Sequence, residues 1–271
     1  MELGIFGDSY AAFDDISDTC LPWPRILANL CNTHGKFGRF SMGGSSHWYS
    51  YENFIKNYKD YEVIVFSHTN SERWPCTKPG IEGKAFNIGY LPDKDMDEIN
   101  KFRKDVFSSS LLQFISLNIF KEVNQRCREK GIYLINIFPF NDDYEIPETE
   151  FPIIKYLDRI SHMEETRHRD FAAWAKHQNH HPKNDLGIRN KYNRLWYGKT
   201  DFHPTGMINN MLGRDLRECH FNCKNNKRFA HLLYDMIEKK EYHKLIDCTE
   251  LEWDVYDEEM DAIYEKNFNN R

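Results

Sequence analysis

The sequence predicts an α/β domain built on a mostly parallel sheet, and two strand patterns with the helical stretches around them carry that prediction. Glu62-Val63-Ile64-Val65-Phe66-Ser67 and Ile132-Tyr133-Leu134-Ile135-Asn136-Ile137-Phe138 are continuous β-branched, apolar and aromatic runs. Such runs mark strands covered on both faces, because a strand with one wet face would alternate apolar and polar residues. From Asp97 to Lys130, Ile99, Phe102, Val106, Phe107, Leu111, Phe114, Ile115, Ile119, Phe120 and Val123 recur at three- and four-residue steps. That spacing predicts one long or two consecutive amphipathic helices. Strands that alternate with helices lie parallel, since a crossover helix returns the chain to the edge it left.

The remaining elements follow in order. Leu3-Gly4-Ile5-Phe6 is a short apolar first strand, followed at once by Gly7-Asp8-Ser9. Pro24 to Cys31 opens with a proline suited to a first helical turn and keeps helical spacing. Phe37 to Met42 is a weaker second strand that runs into Gly43-Gly44-Ser45-Ser46, where backbone can approach a ligand closely. The third strand ends in His68-Thr69-Asn70; Gly131 stops the long helix and Pro139 closes the next strand. Phe229, Leu232, Leu233, Met236 and Ile237 form the stripe of a last helix, with His220 just before it.

Two stretches break the rhythm. Residues 141–210 are rich in His, Asn, Lys and Arg, with a charged helical candidate from Ile153 to Gln178, and read as an insertion or cap. Residues 247–271 are acid-rich with interspersed aromatics and read as a surface helix or tail. All 271 residues fit a single domain that contains the insertion.

Composition narrows the function classes. A net charge of −6 provides no broad basic field, which argues against nonspecific nucleic-acid binding and against an anionic membrane surface. A neutral small-molecule or carbohydrate-like substrate fits better, and aromatic residues at 15% can face sugars as well as fill a core. Seven cysteines without regular spacing suit free thiols in a reducing compartment. Cys219 and Cys223 have helical spacing but no second pair to complete a zinc site. His162, His168, His177, His180 and His181 with Glu164 and Glu165 form no ordered ligand motif and read as a solvated polar helix. No phosphate-loop or dinucleotide fingerprint, no signal peptide and no membrane-length apolar run is found, so the expectation is a cytoplasmic, soluble protein.

Chemistry concentrates at the ends of the predicted strands. A serine at the end of a first strand suits display of a nucleophile, yet its hydroxyl needs a base and donors for the developing oxyanion. On its own Gly7-Asp8-Ser9 is equally a polar strand-end turn. The serine after strand one, Gly44 after strand two, Asn70 after strand three and His220 before the last helix together resemble the SGNH (GDSL-like) hydrolase family in chain order. The likeness spans roughly residues 1–76, 97–140 and 211–240. It implies a three-layer α/β/α, flavodoxin-like domain that needs no metal or organic cofactor. It further implies Ser9 as nucleophile, His220 as base, and an oxyanion hole from the Ser9 and Gly44 N–H groups and the Asn70 amide.

Two features depart from that pattern, and a rival histidine block stands beside it. The family usually has an aspartate three residues before the histidine, where this chain has Arg217. Asp215 and Glu218 are the nearby carboxylates, with Asp215 preferred as the orienting acid. Asp201-Phe202-His203-Pro204 is a rival block, disfavoured because no comparable apolar stripe follows it. His68-Thr69-Asn70 replaces Gly-x-Asn-Asp, which predicts added bulk from His68 beside the oxyanion site. Arg73 reads either as a clamp for an acidic or hydroxylated substrate or as a solvated surface arginine. The functions implied are an esterase or deacylase acting on a carboxylic ester, such as an O-acyl carbohydrate; a non-catalytic carbohydrate-binding or virion or surface protein; or an O-acyltransferase.

Overall fold

Among the described residues eight strands form, and six of them build one sheet. They are β1 Leu3–Gly7, β2 Phe37–Ser41, β3 Val63–Ser67, β4 Trp74–Pro75, β5 Ala85–Phe86, β6 Tyr133–Phe138, β7 Ile153–Lys155 and β8 Leu245–Asp247. The computed structural model describes residues 1–13, 21–33, 36–71, 73–75, 85–86, 109–140, 145–155, 221 and 223–251. The sheet runs in the order β2-β1-β3-β6-β7-β8, and every neighbouring pair is parallel. β4 and β5 form a separate antiparallel pair. From β1 the chain steps outward to β2, then returns across β1 to β3 and proceeds the other way. The direction of winding thus reverses at β1, and in such a sheet the crevice beyond the carboxyl ends at that reversal is where ligands bind.

Successive residues of each strand point to opposite faces, so the two-sided apolar runs split into two cores. Leu3, Ile5, Val63, Val65, Ile135 and Ile137 join one cluster, which also takes side chains of α1 (Trp23–Leu30) and α4 (Cys223–Lys239). Phe6, Ile64, Phe66 and Leu134 join the other, with side chains of α2 (His47–Asn57) and α3 (Ser109–Lys130). Among the described residues two helices lie on each face, which makes the three-layer α/β/α fold. No helix among the described residues is long and apolar enough to cross a membrane.

Local signals fix the helix ends. Pro24 lies in the first turn of α1, where its missing N–H breaks no bond. The Ser46 hydroxyl caps α2 by accepting from the Tyr49 N–H at 3.2 Å. Gly131 ends α3 with φ +67°, the left-handed conformation that stops a helix at low cost in a glycine. The part of the predicted helical region before residue 109 lies outside the described residues.

Two sequence expectations are corrected. Ile153–Lys155, placed inside the insertion and at the start of a charged helix, is strand β7, paired with β6 and β8. Three residues are too few for periodicity to separate strand from helix, and Pro152 imitates a helix-start proline. The Pro152 carbonyl instead accepts from the Asn136 N–H at 3.0 Å, seating the chain beside β6. Likewise Leu245–Asp247 forms the edge strand β8, and Cys248 is fully buried, so the acid-rich end is framework up to that point rather than surface tail. Residues 141–144, 156–210 and 252–271, the rest of those two stretches, lie outside the described residues.

Candidate active site

The parallel sheet brings the loops after β2, β1 and β3 side by side on one edge, and these carry Gly44, Ser9 and Asn70. Close packing at Gly7 begins the arrangement. A Cβ on residue 7 would stand 2.7 Å from the Ser67 Cβ and 3.0 Å from the Ala11 Cβ, so only glycine lets the loop turn there. The Gly7 carbonyl accepts from the Met42 N–H and from the Ser45 hydroxyl, each at 3.2 Å, which holds the β2 loop over the end of β1.

Asp8 anchors the edge. Its carboxylate is fully buried and accepts from the Tyr10 N–H at 3.1 Å, the Thr69 hydroxyl at 2.6 Å and the Arg73 guanidinium at 2.7 Å. Arg73 also lies over the Phe140 ring, 5.1 Å from its centroid. Arg73 is therefore neither a free substrate clamp nor a solvated arginine, since its side chain is only 11% exposed and is committed to Asp8. Removing one partner of a buried pair strands the other charge, which costs about 3–5 kcal/mol. Asp8→Ala is expected to lower the unfolding free energy by that amount in urea titrations, with Asp8→Asn losing less because an amide still accepts from Thr69.

Ser9 opens a one-turn 3₁₀ helix, Ser9–Ala11, that the Asp8 side chain caps. Its Cβ is 3.9 Å from where a Cβ on Gly43 would lie, so the nucleophile candidate sits against the glycine turn. In that turn the Ser45 N–H donates to the Met42 carbonyl at 3.1 Å, and Gly44 has φ +72°, which the third position of a type II turn demands. A Cβ on Gly44 would meet nothing within 4 Å, so this side of the turn is open. Asn70 is half-buried at the start of the next turn, where its carbonyl accepts from the Arg73 N–H at 3.2 Å.

His220, Asp215 and Glu218, and the rival His203 with Asp201, lie outside the described residues. The residue after His220 is described and firmly held. Phe221 is buried and packs edge-on against Phe229 with ring centroids 5.6 Å apart. The Asn226 amide donates to the Phe221 carbonyl at 2.9 Å and accepts from the Trp23 N–H at 2.9 Å; the Trp23 indole donates to the Tyr10 carbonyl at 2.6 Å. Three hydrogen bonds thus lead from the residue after Ser9 to the residue after His220.

The structure also contains a buried polar chain that sequence reasoning missed. His68 does not add bulk at the loop edge beside Asn70: it is 1% exposed, stacks on Phe138 at 4.4 Å and points between the sheet and its α2/α3 layer. Its period-two relation to Ile64 and Phe66, both on that face, is the signal that predicts the direction. His47 Nε2 lies 2.9 Å from His68 Nδ1, and His68 Nε2 lies 3.0 Å from Asn136 Oδ1. The Ser116 hydroxyl is 3.2 Å from His47 Nδ1.

One backbone oxygen sets the polarity of the whole chain. The Phe120 carbonyl can only accept, so the amide nitrogen of Asn124 faces it at 2.7 Å and the Asn124 oxygen accepts from Asn136 Nδ2 at 3.1 Å and Thr149 at 2.7 Å. Asn136 Oδ1 then faces His68, which must donate from Nε2 and accept at Nδ1. His47 in turn donates from Nε2 and accepts the Ser116 proton at Nδ1. Asn124 and Thr149 also line a groove of about 440 Å³ beside α3, which shares no residue with the loops that carry Ser9, Gly44 and Asn70.

Both imidazoles are neutral, because burial disfavours the charged ring. Burial takes the His68 pKa down to about 4, against a partial offset from its bond to Asn136; burial and then the neighbouring His68 lower that of His47. The unfolded chain, with histidines near pKa 6.5, therefore binds more protons between about pH 6.5 and pH 4. Stability is full above that window and falls as pH drops through it, by about 3 kcal/mol from His68 alone. Urea midpoints at pH 7 and pH 4.5 are expected to show this decline, and a His68→Asn variant is expected to make it shallower, leaving the share from His47; a wild-type midpoint independent of pH would contradict the buried neutral pair.

Among the described residues no group of three or more His, Cys, Asp or Glu side chains is gathered to hold a metal ion. Set against protein-family models and against curated proteins, the chain matches none.

Proposed function

We propose that this protein is an SGNH-type serine hydrolase that cleaves a carboxylic ester through an acyl-enzyme on Ser9. The observation that carries the reading is the hydrogen-bonded bridge from Tyr10 through Trp23 and Asn226 to Phe221, because it ties the neighbours of Ser9 and His220 to one another. A nucleophile and its base must lie within hydrogen-bond reach, and fixing the residue beside each supports that approach. The open glycine turn and Asn70, on the loops that follow the two strands flanking β1, provide the second support.

In this reading the Ser9 hydroxyl attacks the acyl carbonyl while His220 takes its proton, and His220 then returns that proton to the departing alkoxide. Negative charge builds on the carbonyl oxygen as it becomes tetrahedral. The N–H groups of Ser9 and Gly44 and the Asn70 amide donate to that oxygen, and donors already in place cost no reorganisation during the reaction. Water activated by the same imidazole releases the acid. Asp215 holds His220 in the tautomer that accepts from Ser9. An O-acyl group on a carbohydrate is the substrate class in view.

Rapid mixing with p-nitrophenyl acetate tests the proposal. The expected trace is a burst of about one nitrophenolate per chain followed by slower turnover, the signature of a covalent intermediate. A folded protein that releases no nitrophenolate above the uncatalysed rate would overturn it.

A further inference from the structure

We propose that His47 and His68 are positioning residues that set the separation of the two oxyanion donors, Gly44 and Asn70; the catalytic consequence rests on the hydrolase reading above. Three loops leave the carboxyl edge at β2, β1 and β3, and each pair of them is joined by a side-chain hydrogen bond. Ser45 to the Gly7 carbonyl joins the β2 and β1 loops, and Thr69 to Asp8 joins the β1 and β3 loops. His47 to His68 joins the β2 and β3 loops and closes the triangle. His47 is the first residue of α2, directly after Gly44-Ser45-Ser46, and His68 stands two residues before Asn70.

The link is directional. The Phe120 carbonyl imposes an Nε2–H on both rings, so His47 can only donate and His68 can only accept at their contact. The two rings stand perpendicular with centroids 5.0 Å apart, and His68 is clamped between Phe120 and Phe138. A clamped ring transmits displacement of one loop to the other. Donors that meet the oxyanion only in the transition state act on kcat, and a misplacement of about 1 Å costs up to about 100-fold. A link that merely stabilises the fold would leave kcat of the folded enzyme unchanged.

His68→Leu removes the acceptor, whereas His68→Asn keeps an oxygen close to the position of Nδ1. Ester kinetics of the folded variants are expected to show kcat down about 10- to 100-fold for His68→Leu, with KM within about 3-fold, and His68→Asn near wild type. Amide hydrogen exchange is expected to quicken in both 43–46 and 69–71 for His68→Leu and in neither for His68→Asn. If His68→Leu does not fold, His47→Leu against His47→Gln makes the same comparison, because the glutamine amide can still donate to His68. An unchanged kcat in a folded leucine variant, equal losses for leucine and asparagine, or faster exchange in one loop alone would overturn the proposal. A wild-type protein without esterase activity would defeat the hydrolase reading only, and the exchange pattern then decides whether the two histidines couple the loops.

Discussion

Ser9→Ala is expected to fold as the wild type does and to lose roughly 10⁴- to 10⁶-fold in ester hydrolysis. The two halves of that expectation have separate physical grounds. The fold survives because the Ser9 turn is held by the buried Asp8, which caps it and accepts from Thr69 and Arg73, and by the Ala11 N–H donating to the Asp8 carbonyl at 3.1 Å. Neither support uses the serine hydroxyl. In the proposed mechanism activity collapses because no covalent intermediate can form without that oxygen, and only binding and oxyanion stabilisation remain. The comparison requires kcat/KM together with a urea midpoint, since an inactive but destabilised variant would say nothing about the nucleophile.

His220→Ala is expected to fall by a similar factor of roughly 10⁴ or more, while His203→Ala stays within about 3-fold of wild type. In the proposed mechanism the base and nucleophile act as one unit, so removing either costs nearly what removing both does. The choice between the histidines follows from what surrounds their neighbours. Phe221 is buried against Phe229 and bonded through Asn226 to the helix that holds the Tyr10 carbonyl. That seat fixes the chain one residue from His220. It is reinforced at Asn225 and Ala230, both fully buried in the first half of α4. Loss of activity in His203→Ala with retention in His220→Ala would move the base to the Asp201-Phe202-His203-Pro204 block and remove the bridge as the supporting observation. kcat/KM for both variants across pH 5–9 makes the test, because loss of the base also removes the rise of rate with its ionisation.

The architecture was legible wherever a strand is long and covered on both faces. β1, β3 and β6 each carry enough consecutive apolar residues to announce themselves, and their parallel pairing follows from alternating strands and helices, whereas the reversal of winding at β1 is visible only in the strand order. β7 and β8 were not legible because three residues hold no period, and their charged flanks imitate a helix and a tail. At the site, sequence order supplied Ser9, Gly44 and Asn70 on neighbouring loops. The support beneath them was hidden. Asp8 reads as turn chemistry until Arg73 and Thr69, more than sixty positions away in sequence, are seen to converge on its carboxylate. His68 was legible in direction through its period-two relation to Phe66, but its partner was not, because pairing with His47 depends on how α2 lies across the sheet.

The most direct measurement is covalent labelling of the intact, folded protein by a fluorophosphonate, followed by peptide mass mapping of the adduct. A single phosphonyl group on Ser9 is expected, absent from Ser9→Ala and slowed by an ester substrate. A folded protein that takes up no label, or takes it on a different serine, would contradict the claim that this edge is a serine hydrolase site.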